Sequence, residues 1–368
     1  ATTYNLAAAE DWATGADAAV NVVDGTNAIT VSQTVASSGG GGTSTTTNII
    51  GDDTLDGIVR TPITTTTVGN TTVTTQTGTG TRTYTDDNGE IVTQTNKTVE
   101  AVQISAPTNG GSTTTAIPLY WGESSKTEWA TTASVSSGVT LASEGNRAPV
   151  QTQTTQTAID DLIYYIQTTV PSTDGTKSEM LGGGSSFLSQ LGNVTTLVVN
   201  KVILSTASAT STTPSAVSLD GTANTVTTGG VTETPKEALV IDGSSLAAGS
   251  TVTLSNIEFG VLTGSNLNVT LTGSATQTVF TGSGTQTLTT SASNQNQLHA
   301  GGGNDAFHIT GAQESVLSAP RAEALNSLST SNTFAGSIVN KTALYGEDGS
   351  DTTTLESTGT QNVFVHGG

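Results

Sequence analysis

The residues best suited to chemistry sit in two acidic, glycine-rich loops. One reads Ala300-Gly301-Gly302-Gly303-Asn304-Asp305 and the other Gly346-Glu347-Asp348-Gly349-Ser350-Asp351. A hard cation such as calcium takes roughly six to eight oxygen ligands, and a glycine-rich turn can turn backbone carbonyls toward it while Asp supplies charge. The candidate ligand positions are Ala300, Gly301, Gly303, Asn304 and Asp305 in the first loop, and Gly346, Asp348, Gly349 and Asp351 in the second. The competing reading is plain turn chemistry, because Gly, Asn and Asp dominate tight turns. That reading takes the Asp52-Asp53 pair.

Other chemistries find less support. The histidines are His299, His308 and His366, and two His without a third ligand make a weak transition-metal site. No His-Glu-x-x-His and no Gly-x-Ser-x-Gly occurs, which removes the zinc-protease and nucleophile-elbow readings. Asp160-Asp161 and Asp86-Asp87 are adjacent, so their side chains diverge on a helix or strand. The glycine runs 39–42 and 182–184 lack the Lys-Ser/Thr of a phosphate loop. No enzyme is expected from these residues.

The elements that must hold the first loop repeat. Gly264, Gly273, Gly282, Ser291 and Ala300 open successive nine-residue blocks, whose eighth positions are Leu271, Phe280, Thr289, Leu298 and Phe307. One large apolar residue per block suits a solenoid in which each half-coil is a short strand and the leading small residue makes the turn. Thr289 breaks the series, with Leu288 one place early, and a solenoid would stack His299 above His308.

Ala300 to Phe307 and Gly346 to Asp351 resemble the glycine-rich nonapeptides of the RTX (repeats-in-toxin) proteins. Gly301, Gly303, Asp305 and Phe307 fit that pattern with Ala300 in place of its first Gly, and Gly346, Gly349 and Asp351 fit it again. In the second copy Glu347 replaces a Gly and Thr353 stands where the apolar residue belongs, and the two copies are separated rather than tandem. The resemblance implies calcium held between turns by Asp carboxylates and turn carbonyls. It also implies release from a bacterial cell by type I secretion.

Composition agrees with a β protein outside the cell. Of 368 residues only 11% are charged and 4% aromatic. Thr interleaves with Val, Ile and Leu, and β-branched residues favour strands. A net charge of −20 argues against nucleic acid as partner and suits divalent cations. The chain has no Cys. No apolar run reaches the roughly 20 residues of a membrane span.

The expected organisation has three parts. Residues 1–105 form an N-terminal β region of short strands and hairpins, with a turn at Asn88-Gly89. Residues 106–194 are irregular and hold Trp121 and Trp129. They include a helix over Ala158 to Ile166 stopped by Pro171, and a second over Ser185 to Leu191 after a Gly182-Gly183-Gly184 hinge. Residues 195–368 form a parallel β-roll or β-helix solenoid carrying the nonapeptides. It has an insert near 312–340, in which Ser318 to Ser329 is a candidate helix. The fold class is thus mainly β, with antiparallel hairpins and one or two short helices upstream of a C-terminal solenoid.

The function expected from this is an extracellular structural or adhesive protein of the bacterial surface, stabilised by calcium. A surface-layer subunit, biofilm-matrix filament or adhesin segment would fit, self-associating into fibres or a lattice, with cell-surface polysaccharide as a further partner. The alternatives are a secreted carbohydrate-active β-helix enzyme and an ice- or glycan-binding module.

Overall fold

Where Thr alternates with Val, Ile or Leu, side chains of opposite character fall on opposite faces of a strand. The computed structural model describes residues 19–24, 27–32, 49–50, 57–68, 71–85, 89–106, 115–118, 131–146, 155–191, 197–206, 212–221, 226–228, 231–233, 236–291, 296–310, 312–313, 342–346, 350–355 and 361–366. It divides into residues 1–48 and 49–368. In the first unit β1 (Ala19–Asp24) and β2 (Asn27–Ser32) form an antiparallel pair.

The second unit is mainly β with two helices. Its first strands are β3 (Ile58–Arg60), β4 (Thr64–Val68), β5 (Thr71–Thr85), β6 (Ile91–Ser105), β7 (Thr115–Pro118), β8 (Thr131–Val135) and β9 (Val139–Asn146). Next come α1 (Thr155–Thr169) and α2 (Lys177–Leu191), then β10 (Leu197–Thr206), β11 (Ala216–Gly221), β12 (Val226–Thr228) and β13 (Val231–Glu233). Short strands follow: β14 (Lys236–Ser245), β15 (Thr251–Ser255), β16 (Phe259–Thr263), β17 (Asn268–Thr272), β18 (Thr278–Thr281) and β19 (Thr287–Ser291). The last are β20 (Gln297–His299), β21 (Ala306–Thr310), β22 (Ala312–Gln313), β23 (Thr342–Tyr345), β24 (Thr352–Leu355) and β25 (Gln361–His366).

From β14 to β21 consecutive strands alternate between two sheets. The first sheet has the order β22-β25-β23-β20-β18-β16-β14-β10-β9-β6-β5-β3, with β4 also on β5. The second runs β24-β21-β19-β17-β15-β11-β8-β7. Pairing is parallel from β10 to β25 in the first and from β11 to β24 in the second. Both sheets turn antiparallel at the other end, through β9-β6-β5 and through β8-β7. As expected, β5 and β6 form an antiparallel hairpin, with Thr85 opposite Ile91; Asn88 of the expected turn lies outside the described residues. No helix among the described residues is long and apolar enough to cross a membrane.

Register explains the imperfect nine-residue repeat. Thr287 pairs with Asn268 on one side and Ala306 on the other, so one full step within a sheet is nineteen residues. The residues pointing between the sheets are Val269, Val279, Leu288, Leu298 and Phe307, all buried in one apolar cluster. Their spacing alternates ten and nine. Thr289 therefore points outward and Leu288 takes the core position. Phe280 points away from that core, into the cluster beneath the helices.

The two sheets differ in what covers them. Val199, Val240, Phe259 and Phe280 on the far face of the first sheet pack on Leu162, Tyr165 and Ile166 of α1 and Met180 of α2. Strands β14 and β16 are accordingly apolar on both faces, with a nearly continuous run of buried residues. Strands β15, β17 and β19 alternate instead, with Thr, Asn or Ser on the outer face. Burying a Leu- or Phe-sized side chain contributes about 1.5–3 kcal/mol, which makes the two clusters the main support of the fold.

Helix α1 starts within three residues of the expected segment and ends before Pro171. Helix α2 differs: the glycines expected as a hinge lie inside it. Close packing is the reason. A Cβ on Gly183 would stand 2.4 Å from the Phe280 ring, and one on Gly184 would stand 3.2 Å from Ile166. The candidate helix at Ser318 to Ser329, the Asp52-Asp53 pair, Trp121 and Trp129 lie outside the described residues.

Candidate functional site: stacked acidic turns

Asp305 and Asp351 each stand just before a strand of the second sheet. Ala306 pairs with Thr352, which places the two Asp at the same level of adjacent strands. The Asp305 N–H donates to Asp351 Oδ1 at 3.0 Å, and the Gln286 N–H donates to Asp305 Oδ1 at 2.7 Å. Beside them the Ser350 N–H donates to Asn304 Oδ1 at 3.0 Å. Asp305 is buried and Asp351 half-buried.

The turn before Asp305 is shaped by glycine. Gly301 has φ +76° and Gly303 φ +141°, and a Cβ on Gly303 would stand 2.0 Å from the Gly284 carbonyl oxygen. Only glycine fits that approach. The Ala300 carbonyl accepts from Thr281 Oγ1 at 2.7 Å, and the Gly302 carbonyl accepts from the Gly284 N–H at 2.6 Å. Gly346 lies against Asp351, where an added Cβ would meet Oδ2 at 2.2 Å. Asp348 and Gly349 lie outside the described residues.

The donor chemistry is that of a hard cation: two stacked carboxylates, an Asn amide oxygen and turn carbonyls. Asp351 Oδ2 has no hydrogen-bond partner among the described residues. Those residues contain no group of three or more His, Cys, Asp or Glu converging on one point. Any calcium here would rest on Asp305 and Asp351 together with neutral oxygens.

The hydrogen bonds of Asp305 and Asp351 belong to a wider pattern that the sequence reading missed. Ser250 Oγ accepts the Ser215 N–H at 3.0 Å, Glu258 Oε2 the Glu237 N–H at 2.9 Å, and Asn296 Oδ1 the Gln277 N–H at 2.9 Å. At each of these places a polar side chain at a strand entrance accepts the amide of its counterpart on the preceding strand. A nineteen-residue spacing marks only the pairs Gln277–Asn296 and Gln286–Asp305; the others span 21, 35 and 46 residues, so no single period exposes the pattern.

His299 and His308 do not come together. Nine residues is half of the nineteen-residue step, so His299 falls in the first sheet and His308 in the second. His299 stacks between Phe280 (centroids 4.1 Å apart) and Tyr345 (4.3 Å). Burial pushes its imidazole down to about 4, against an opposing pull from Glu179.

Sequence reading also missed an ionic cluster, because its members are far apart along the chain. Glu144 of β9 accepts from Arg60 Nη2 at 2.5 Å and from Arg82 Nη2 at 3.1 Å. Asp161 of α1 takes the Lys97 ammonium on both oxygens and the Gln94 amide at 2.9 Å. Arg82 lies 3.8 Å over the Tyr164 ring. Burial lowers Lys97, with Asp161 opposing, and burial followed by Glu144 raises the Tyr165 phenol well above its ordinary value. Such a set of acids and bases resembles a reaction centre, yet Arg82 and Asp161 are fully enclosed and Lys97 and Glu144 nearly so. The cluster ties α1 to the antiparallel strands β5, β6 and β9.

No protein-family model, no curated protein and no solved structure matches this chain.

Proposed function

We propose that this chain is an extracellular structural or adhesive protein of a bacterial surface. In this reading the parallel strands wind as a β-solenoid of about nineteen-residue coils, and calcium at the Asp305–Asp351 turn orders its C-terminal coils. The observation that carries the reading is the in-register stacking of those two carboxylates on adjacent strands. The net charge of −20, the absence of Cys and the resemblance of 300–307 and 346–351 to RTX nonapeptides support it. A calcium-poor cytosol would leave the chain loose for export, and calcium outside would complete folding. Surface-layer subunit, matrix filament and adhesin segment are the roles that fit.

The test separates the carboxylate's two jobs. Asp305→Asn keeps an oxygen for the Gln286 N–H and removes the charge, whereas Asp305→Ala removes both. The wild-type melting temperature should rise with calcium and fall with EGTA. The Asn variant should lose that response while still folding. A wild-type melting temperature indifferent to EGTA would sink the calcium part of the reading. Electron microscopy of the protein with calcium addresses assembly, since dispersed monomers at high concentration would count against fibres or a lattice.

One further observation favours a second reading, a glycan- or ice-binding surface. The outer face of the second sheet carries the ladder Ser218–Thr253–Thr270–Thr289–His308–Thr354, one residue per strand. Strand spacing sets its rungs about 4.8 Å apart. Thr270→Tyr should abolish binding to polysaccharide or ice with little change in stability. Unaltered binding would remove this face from consideration.

A further inference from the structure

Glu237 is the second residue of β14 and points between the two sheets, on the same side of the strand as the buried Leu239 and Ile241. Ala238 pairs with Phe259, so Glu237 and Glu258 stand at the same level of adjacent strands, about 4.8 Å apart. Each oxygen of Glu258 already accepts one hydrogen bond. Its Oε2 receives the Glu237 N–H at 2.9 Å and its Oε1 receives Lys236 Nζ at 2.9 Å. Glu237 has no such support. It is 1% exposed, and its Oε1 has no hydrogen-bond partner among the described residues. Its Oε2 lies beside Gly221, where an added Cβ would come within 2.9 Å.

The other groups around it offer no compensation. Lys236, the neighbouring cation, is spent on Glu258 and is itself partly exposed. Asp220, at the end of β11, adds a second negative charge nearby and accepts from Asn256 Nδ2 at 3.2 Å. Strand β10 contributes Val198 alongside, which carries no charge. Among the described residues, an ionised carboxylate enclosed here would face two others with no donor on its Oε1, and burying an unpaired charge is far costlier than burying a neutral carboxyl.

We propose that Glu237 keeps its proton in the folded chain, facing the Glu258 carboxylate, which makes the closure of the first parallel strands a proton-uptake step. The Glu237 carboxyl lies within hydrogen-bond reach of Glu258, and burial, followed by Glu258, pushes it from 4.5 up to about 11. The sign follows from linkage. The unfolded Glu loses its proton near 4.5 while the folded one keeps it, so folding binds a proton between those values. The stabilisation is complete below about 4.5 and is lost as pH rises toward about 11. This device is independent of calcium and of the Asp305–Asp351 turn.

The experiment compares urea unfolding of the full chain and of Glu237→Gln from about pH 5 to pH 9. Gln copies the neutral carboxyl and cannot release a proton. The wild-type folding constant should fall about tenfold more per pH unit than that of the variant, the slope of one proton. Parallel pH profiles would overturn the proposal. Infrared spectroscopy of the wild type at about pH 8 keeps the test alive if the variant does not fold. A protonated-carboxyl C=O band should be present there, and its absence overturns the proposal equally.

Discussion

The enclosed ionic cluster makes the sharpest demand on the physics. Replacing Asp161 with Leu removes the acceptor of Lys97 and of Gln94 and leaves the Lys97 ammonium in a site where it is almost fully buried. Breaking one side of a buried pair costs about 3–5 kcal/mol, because the surviving charge is uncompensated. Lys97→Met alone should cost a similar amount through Asp161. Removing both leaves Arg60, Arg82 and Glu144 in place and the cluster's net charge unchanged, so the double variant loses mainly the Gln94 hydrogen bond and the 4.0 Å contact of Arg82 with Asp161. That loss is about 1–3 kcal/mol. The double variant should therefore be more stable than either single, with a coupling energy of about 3–9 kcal/mol between the two substitutions. Urea unfolding at neutral pH measures all three. There is also a pH signature. Lys97 in Asp161→Leu can fold only by shedding its proton, so that variant should gain about 1.4 kcal/mol per pH unit as pH rises toward 10. Additive single costs, or a double variant no better than the worse single, would refute the view that the pair is held for mutual compensation.

Other outcomes follow from single contacts. Gly303→Ala places a Cβ 2.0 Å from a backbone oxygen at φ +141° and should cost about 2–4 kcal/mol in a thermal melt. Gly183→Ala drives a methyl into Phe280 and should cost about 1–3 kcal/mol, recovered in part by adding Phe280→Leu. Phe307→Ala empties a core position and should cost about 3–5 kcal/mol, against less than about 0.5 kcal/mol for the exposed Thr354→Ala. His299, held near 4 against an ordinary 6.5, sheds a proton on folding, so stability should fall as pH drops through that window. His299→Phe should remove this acid sensitivity, seen as a shallower loss of melting temperature from about pH 6.5 to pH 4.5.

Local periodicity carried some of this structure openly. The run Ala158 to Ile166 is apolar at helical spacing and lies in α1, and the two β-branched runs on either side of Asn88-Gly89 pair as β5 and β6. The same strictness misled elsewhere. A nine-residue ruler laid on a chain that steps ten and nine drifts by one residue per coil, so it put Thr289 in the core and stacked His299 on His308. Helix α2 was half-hidden because its three glycines read as a break. Their value lies in what they admit, the Phe280 ring and the Ile166 side chain, and those partners come from other elements. The cluster of Arg82, Lys97, Glu144 and Asp161 had no local signal, since four separate elements supply it and only pairing and helix docking bring it together.

The acidic loops are the subtler case, because type and place were legible while purpose was not. At a strand entrance the preceding strand's amide needs one acceptor oxygen, and Ser250, Glu258, Asn296, Asp305 and Asp351 each supply it. That need accounts for a polar side chain at the position but not for which one. The residue choice is decided by the atom left over. Asn296 turns its amide nitrogen to Thr290 Oγ1 at 2.6 Å, so nothing is left to spare. Asp351 leaves Oδ2 without a donor among the described residues. A carboxylate is a poor choice for capping alone, because a neutral Asn does the same work without like-charge repulsion against the neighbouring Asp. The excess charge on the last two rungs is the part of the pattern that backbone geometry does not require, and it is the part that the proposed calcium would offset.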